Sequence, residues 1–356
     1  MSQPRSARAR PLRLAGPTPP RDLRQRPMRS LRLSLTDRCN LRCSYCMPRA
    51  HYCWLPKQDL LDFEELERLV AAFTALGVSR LRLTGGEPLL RRRLPALVAR
   101  LHGAPLEDLA LTTNGVLLQD QAEALIAAGV NRITVSLDTL QPARFRSLTR
   151  SQEHARVLRG IEAAASLGVS ELKLNAVVVR GFNDDELEDL LAYGAEVGAE
   201  VRFIEYMDVG GATQWSRDRV VSGAEILARL ETSLGPVRPM GRTRPSATAL
   251  RYSVAESTFG LVRSTTAPFC ADCDRSRVTA DGQWLHCLYA SRGLDLRREL
   301  RRGASDAELR ALLSREWSRR DARGAEERAA EAEREPWRGE DELRARPHLE
   351  MHTRGG

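Results

Sequence analysis

The sequence lacks anything that would place it in or across a membrane. No apolar run among its 356 residues approaches spanning length, and the first residues lack the apolar core of a secretory signal. A soluble, cytoplasmic protein with no membrane partner is the expectation. It is also short of a basic surface. The formal net charge is +8, yet residues 1–30 hold eight Arg, one Asp and no Lys, so seven of those charges lie in the first 30 residues. Nucleic acid is therefore not an expected partner. Residues 1–28 are rich in Pro, Arg and Ser and poor in large apolar side chains, the composition of a disordered basic leader. A disulfide framework is excluded by the same reading: seven cysteines in a long chain without a secretory signal point to metal or redox chemistry.

What the sequence does contain is a recurring unit. Between residues 31 and 206 a short β-rich run, a loop and a helical period repeat. The expected strands are Leu31–Leu35, Leu81–Thr84, Leu109–Thr112, Ile133–Leu137, Leu172–Val178 and Val201–Tyr206. In "DFEELERLVAAFTALG" the apolar residues Phe63, Leu66, Leu69, Val70 and Phe73 recur at three and four, with Asp62 to cap the start and Gly77 the end. Similar helical stretches run through 94–101, 121–128, 155–167 and 185–195. Alternating strand and helix calls for a parallel sheet, either open and doubly wound or a partial barrel, with the ligand end at the C-terminal edge of the strands. Beyond about residue 215 a smaller region is expected. Residues 321–346, rich in Glu, Arg and Ala, read as a solvated helix or floppy tail.

Six of the seven cysteines fall into two groups of three, Cys39, Cys43, Cys46 and Cys270, Cys273, Cys287. Cys53 stands apart as a packed or incidental thiol. Each group is one ligand short of a closed site. Zinc completed by His51 or His286 is one reading; two iron-sulfur clusters, each with an iron open to a small molecule, is the other.

"SLTDRCNLRCSYCMP", with Cys-x3-Cys-x2-Cys and an aromatic residue before the third Cys, resembles the cluster signature of radical S-adenosylmethionine (SAM) enzymes. "LRLTGGEPLLRR" resembles the glycine-rich element that follows the second strand in that superfamily. With "LTTNG", "ITVSLDTL", "LKLNAVVVRGFNDDE", "VRFIEYMDVG", "FCADCDRSRVTADGQWLHCL" and a terminal Gly-Gly, residues 22–290 and the chain end resemble the GTP 3',8-cyclases of molybdenum cofactor biosynthesis. The Asp-x-Phe-Gly-Arg opening of that family is reduced here to "DLRQR" at 22–26.

The resemblance implies a partial (βα)6 TIM-type barrel at 29–215, a smaller C-terminal cluster-binding region at 216–320 and a tail at 321–356. It implies two 4Fe-4S clusters, on Cys39, Cys43, Cys46 and on Cys270, Cys273, Cys287, with SAM completing the first. Tyr45, Gly86, Ser136 and Met207 match SAM-contacting positions. Arg32, Arg82, Thr113, Lys173, Arg275, Ser276 and Arg277 match GTP-contacting positions, and Gly355 and Gly356 match a tail that reaches the active site. Asp138 and Asn175 read as strand-end or turn groups. The implied reaction uses a radical made from SAM to take the 3' hydrogen of GTP, after which C3' bonds to C8 of the guanine. Implied partners are a reductant such as flavodoxin or ferredoxin and a downstream cyclic pyranopterin monophosphate synthase, with the enzyme a homodimer or monomer. A peptide-modifying radical SAM maturase and a zinc-stabilised nucleic-acid regulator are the rival readings.

Overall fold

A computed structural model describes residues 18–49 and 51–355. The expected strands all form, as β1 (Ser30–Ser34), β2 (Arg80–Thr84), β3 (Asp108–Thr113), β4 (Arg132–Ser136), β5 (Glu171–Val178) and β6 (Glu200–Glu205). Between them lie α1 (Phe63–Ala75), α2 (Leu94–His102), α3 (Leu118–Ala128), α4 (Pro142–Thr149), α5 (His154–Ser166) and α6 (Leu187–Glu196). Of these only α4 escapes the sequence reading. The start of α1 is fixed as its sequence suggests: Asp62 accepts from the Glu65 amide while the Glu65 side chain accepts from the Asp62 amide, a capping box.

β1 to β6 pair in parallel and in chain order. Their alternation decides what each face does. Leu31, Leu33, Leu81, Leu83, Ile133, Val135 and Leu174 are buried on the outer face against Leu69, Phe73, Leu97, Leu125, Val157 and Ile161 of the helices. The intervening residues, among them Arg32, Arg82, Arg132, Lys173 and Arg202, face a common internal cavity. Side chains from β1 and from β6 meet in one space because the sheet curves into a partial barrel, the α/β architecture expected. Parallel sheets are usually apolar on both faces; a charged inner face marks this one as the lining of a polar binding chamber.

The C-terminal region extends that sheet at both edges. β10 (Arg275–Val278) adds in parallel to β1 and carries β11 (Gln283–Leu285) and β12 (Leu294–Asp295). β9 (Ser257–Val262) adds in parallel to β6 and carries β8 (Leu250–Val254) and β7 (Arg238–Gly241). α7 (Gly223–Leu234), α8 (Leu296–Arg301) and α9 (Asp306–Ser318) pack outside.

Both chain ends correct the sequence reading where they are described. Residues 18–28, assigned to a disordered leader, are packed: Met28 is fully buried, and Asp22 and Arg26 are nearly so. Arg26 pairs with Asp22 at 2.7 Å, so charge that composition counts as solvated is internally neutralised. Residues 1–17 of the expected leader lie outside the described residues. The tail is likewise folded, through α10 (Gly324–Ala329) and α11 (Glu340–Ala345). Asp208, fully buried after β6, accepts from Arg328 Nε at 2.8 Å, Arg334 Nη2 at 2.8 Å and the Tyr289 hydroxyl at 2.7 Å. Cys53 is exposed, so it is not a packed thiol. Among the described residues no helix is long and apolar enough to cross a membrane.

Candidate active site

The loop after β1 carries the first cysteine group over the C-terminal rim of the barrel. The amides of Cys46 and Met47 donate to the Cys43 carbonyl at 3.0 and 2.7 Å, turning the loop, and all three cysteines line the cavity. Cys39 Sγ accepts from the Leu41 amide at 3.4 Å and from Asn114 Nδ2 at 3.7 Å. Burial, with the Glu87 carboxylate adding, pushes the Cys39 thiol up to about 11; burial and the neighbouring thiols push Cys43 well up, and burial raises Cys46 too. Three such thiolates are stable together only beside a cation. Among the described residues no three His, Cys, Asp or Glu side chains converge on one ion-sized position. The fit to a cluster, which spreads its thiolates over several irons, rests on this soft donor set and on the N–H groups aimed at the sulfurs.

The glycine turn after β2 packs directly beneath that loop. A Cβ on Gly86 would stand 2.3 Å from the Arg38 carbonyl oxygen, so only glycine fits. Next to it Glu87 is fully buried. Its Oε1 accepts from the Leu89 amide at 2.9 Å and Thr113 Oγ1 at 2.7 Å, and its Oε2 from the Asn114 amide at 2.7 Å. Burial raises Glu87 to about 7 despite these donors. Tyr45 donates to Asp138 Oδ2 at 2.6 Å, while Asp138 Oδ1 accepts from the Val177 amide. Burial lifts this carboxyl to about 6. Asp138 and Asn175, read from sequence as strand-end groups, both line the cavity with Ser136 and Met207, and Asn175 Oδ1 is buried without a partner among the described residues.

The second cysteine group closes the opposite end. Cys270 and Cys273 precede β10, whose first residue Arg275 pairs with Ser30 at the start of β1; Cys287 follows β11. Burial would raise the Cys273 thiol, but Arg275 and Arg320 outweigh it and bring it down to about 6. Arg275 Nε and Nη2 lie 3.4 and 3.3 Å from Cys273 Sγ and Arg320 Nη2 lies 3.3 Å away. The site thus favours a thiolate at Cys273. His286 lines the cavity with Nε2 buried and unpaired among the described residues, and burial depresses it to about 4, so it is neutral.

Between the two ends the wall is strongly cationic. Arg32, Arg82, Lys173, Arg275 and Arg277 come together as the sequence suggests, around a cavity of about 490 Å³. Burial lowers Arg82 and Arg277 to about 10, with other arginines adding to the effect; it lowers Arg32 as well. Burial and Arg202 bring Lys173 to about 8 against the pull of Glu171. Ser276 departs from expectation. Alternation along β10 turns it away from the cavity, fully buried, where its hydroxyl accepts from Trp284 Nε1. Sequence reasoning missed Arg80, Arg132, Arg202 and Arg244, all on the wall. The signal was present for three of them, since "RLRLT", "RITVS" and "EVRFIE" place arginine at inward positions of strands whose outward positions are apolar.

The tail enters this wall. Gly355, at φ +65°, offers its carbonyl to Arg32 Nη1 at 3.1 Å and Arg277 Nη1 at 2.9 Å. Gly356 lies outside the described residues.

Two family descriptions match the chain, Radical SAM superfamily over residues 33–194 and Molybdenum Cofactor Synthesis C over residues 199–326. The chain is 53% identical over 345 residues to GTP 3',8-cyclase 3 of Mycobacterium bovis, covering 95% of this chain and 91% of that protein. It is 48% identical over 327 residues to GTP 3',8-cyclase of Acidothermus cellulolyticus, covering 88% of this chain and 90% of that one. The crystal structure of Streptococcus suis SuiB bound to S-adenosylmethionine shares the fold, with TM-score 0.57 at 15% identity over 81% of this chain and 68% of that chain. With a relative of this identity along nearly its whole length, the chain belongs to the GTP 3',8-cyclase family of radical SAM enzymes.

Proposed function

We propose that the protein converts GTP to (8S)-3',8-cyclo-7,8-dihydroguanosine 5'-triphosphate, the first step of molybdenum cofactor biosynthesis. The observation that carries this is a single cavity with a thiol group at each end and arginines and Lys173 between. Cys39, Cys43 and Cys46 hold a 4Fe-4S cluster, with SAM beside Tyr45, Gly86, Ser136 and Met207. When bound, these groups supply the one-electron reduction and the abstraction of the 3' hydrogen of GTP.

Cys270, Cys273 and Cys287 hold a second 4Fe-4S cluster. What supports it is the lowered Cys273 thiol and the three arginine N–H groups directed at its sulfur. Arg32, Arg82, Lys173 and Arg277 bind the triphosphate, for which the paired N–H groups of a guanidinium suit phosphate oxygens. The protein's own contribution is position and dryness. The barrel holds the ribose between the two ends, and the tail carbonyl at Gly355 fixes Arg32 and Arg277 while covering the chamber. A one-electron reductant such as flavodoxin or ferredoxin, and a cyclic pyranopterin monophosphate synthase that takes the product, complete the reading.

The test is anaerobic reconstitution followed by dithionite, SAM and GTP, with iron counted and products read by mass spectrometry. About eight irons per chain, and 5'-deoxyadenosine formed together with the cyclised nucleotide, is the expected result. About four irons and SAM cleavage without conversion of GTP would sink the substrate and the second cluster.

A further inference from the structure

The other cations of this wall have acceptors in the protein. Arg80 pairs with Asp274 and Lys173 with Glu171. Arg132 Nη1 lies 3.0 Å from Asp108 Oδ2 and Arg202 Nε 2.9 Å from Glu200 Oε1. Arg82 Nη1 donates to the Thr112 and Thr134 hydroxyls at 2.8 and 3.1 Å. Arg32 and Arg277 hold the Gly355 carbonyl, and Arg275 the Cys273 sulfur. Arg244 differs. Among the described residues its guanidinium has no hydrogen-bond acceptor and no ion pair, and its Nε is buried.

The backbone beneath it is nonetheless fixed. Arg244 sits in the turn joining β7 to β8, where the Ala247 amide donates to the Arg244 carbonyl at 3.0 Å and Arg242 Nη1 donates to the Ala247 carbonyl at 2.7 Å. This turn forms part of the cavity wall through Thr243, Arg244, Ser246 and Thr248. The charges that act on Arg244 most strongly are Arg80 and Arg132, with Asp108 and Asp274 opposing them and already engaged by those arginines. Arg244 is half-buried with its Nε enclosed and without an acceptor, and a guanidinium placed among other guanidiniums is favoured by an anion entering the cavity. The anion must present several oxygens, because the surrounding donors approach from β2, β4 and the β7–β8 turn.

We infer that Arg244 binds the triphosphate chain of the substrate, reaching it from a hairpin outside the parallel sheet. The inference rests on the reading of this cavity as a GTP site. It makes the β7–β8 turn a determinant of nucleotide charge state: a nucleoside without phosphates gains nothing from it.

The anaerobically reconstituted protein and its Arg244→Gln and Arg244→Lys variants are titrated calorimetrically with GTP, guanosine and inorganic tripolyphosphate. Arg244→Gln is expected to weaken GTP and tripolyphosphate by about tenfold or more, the size of one charge-assisted hydrogen bond, and to leave guanosine unchanged. Arg244→Lys is expected to recover part of the loss. The thermal midpoint is expected to hold, since the side chain has no protein acceptor to lose. Unchanged tripolyphosphate binding, an equal loss for guanosine, or a fall in midpoint would each overturn the role. Wild-type protein that binds tripolyphosphate but not GTP would remove the GTP reading while leaving Arg244 as a phosphate ligand.

Discussion

Arg320 Nη1 donates to Asp22 Oδ2 at 2.8 Å across 298 residues of chain, and neither side chain is more than 1% exposed. The same carboxylate oxygen accepts from Arg26 Nε at 2.7 Å. Other N–H groups of these two arginines reach the second cysteine group: Arg26 Nη1 to the Cys270 carbonyl at 2.8 Å, Arg320 Nη1 to the Cys273 carbonyl at 2.9 Å, and Arg320 Nε to the His286 carbonyl at 3.0 Å. One carboxylate thus holds both chain ends against the loops that carry Cys270, Cys273 and Cys287.

Replacing that carboxylate strands two buried guanidiniums. Asp22→Ala is expected to cost about 3–5 kcal/mol of stability, the scale for leaving a buried charge uncompensated. Asp22→Asn keeps an acceptor and is expected to cost less. The urea midpoint reads the stability, and iron per chain after reconstitution reads the site, with a fall from about eight toward about four expected if the second group alone is released. A wild-type midpoint in Asp22→Ala would show that the pairing is dispensable.

The chain end is the second place where a small change should act on chemistry. Gly355 occupies the left-handed region, and a Cβ there would stand 2.4 Å from Thr84 Cγ2. Gly355→Ala therefore meets both backbone strain, on the order of 1–3 kcal/mol, and a collision with β2. The expected outcome is a displaced tail, with Arg32 and Arg277 losing their shared carbonyl acceptor. Cyclised product should fall by about tenfold or more; because the tail passes Ser34 and Thr84 on the rim that also carries the SAM positions, SAM affinity should fall too, but less. Equal loss of SAM binding would mean that the tail supports the whole barrel rather than this wall.

The strands and the thiol loops were legible because short-range rules govern them. Leu31, Leu33, Leu81 and Leu83 alternate with arginines, and each expected strand agrees with the observed one to within about a residue at most ends. The cysteine groups announce themselves by spacing alone. Less legible was whatever depends on partners far along the chain. Asp22 and Arg26 look like members of a solvated basic leader until Arg320 arrives from 298 residues away. Arg328 and Arg334 look like tail surface until Asp208 is placed beneath them. Ser276 was carried by its neighbours Arg275 and Arg277, although a period of two sends it to the other face. Arg244 stands in a turn with no periodicity to read.

Glu87 links the SAM side to the neighbouring strand. Its three donors come from Leu89, Thr113 and Asn114, so the carboxylate ties the glycine turn to the end of β3. In Glu87→Gln the amide NH2 must face either the Asn114 amide or the donors at Oε1, and at least one buried donor loses its acceptor. The expected cost is about 1–3 kcal/mol in stability. Because Gly86 moves with this turn, SAM affinity should weaken more than GTP affinity. Thermal midpoint and the two dissociation constants, measured on the same preparation, check both halves.

Lys173 gives the site a pH dependence whose sign can be worked out. Burial and Arg202 lower it from 10.5 to about 8, with Arg132 adding and Glu171 opposing. In the ligand-free protein the folded state therefore binds fewer protons than the unfolded state between about pH 8 and 10.5, so this group's penalty on the fold disappears as pH rises through that window. Binding reverses the preference. A triphosphate beside Nζ favours the ammonium, raises its pKa, and draws in a proton wherever the free site was neutral. GTP binding is thus expected to take up almost no proton through Lys173 at pH 7 and to approach one proton at pH 9, while Arg82 and Arg277, at about 10, remain charged. Calorimetry at pH 9 in two buffers of different ionisation enthalpy measures the uptake directly. In Lys173→Met the uptake should vanish and GTP affinity should become nearly flat from pH 7 to 9; uptake that persists in this variant would assign the proton to another group on the wall.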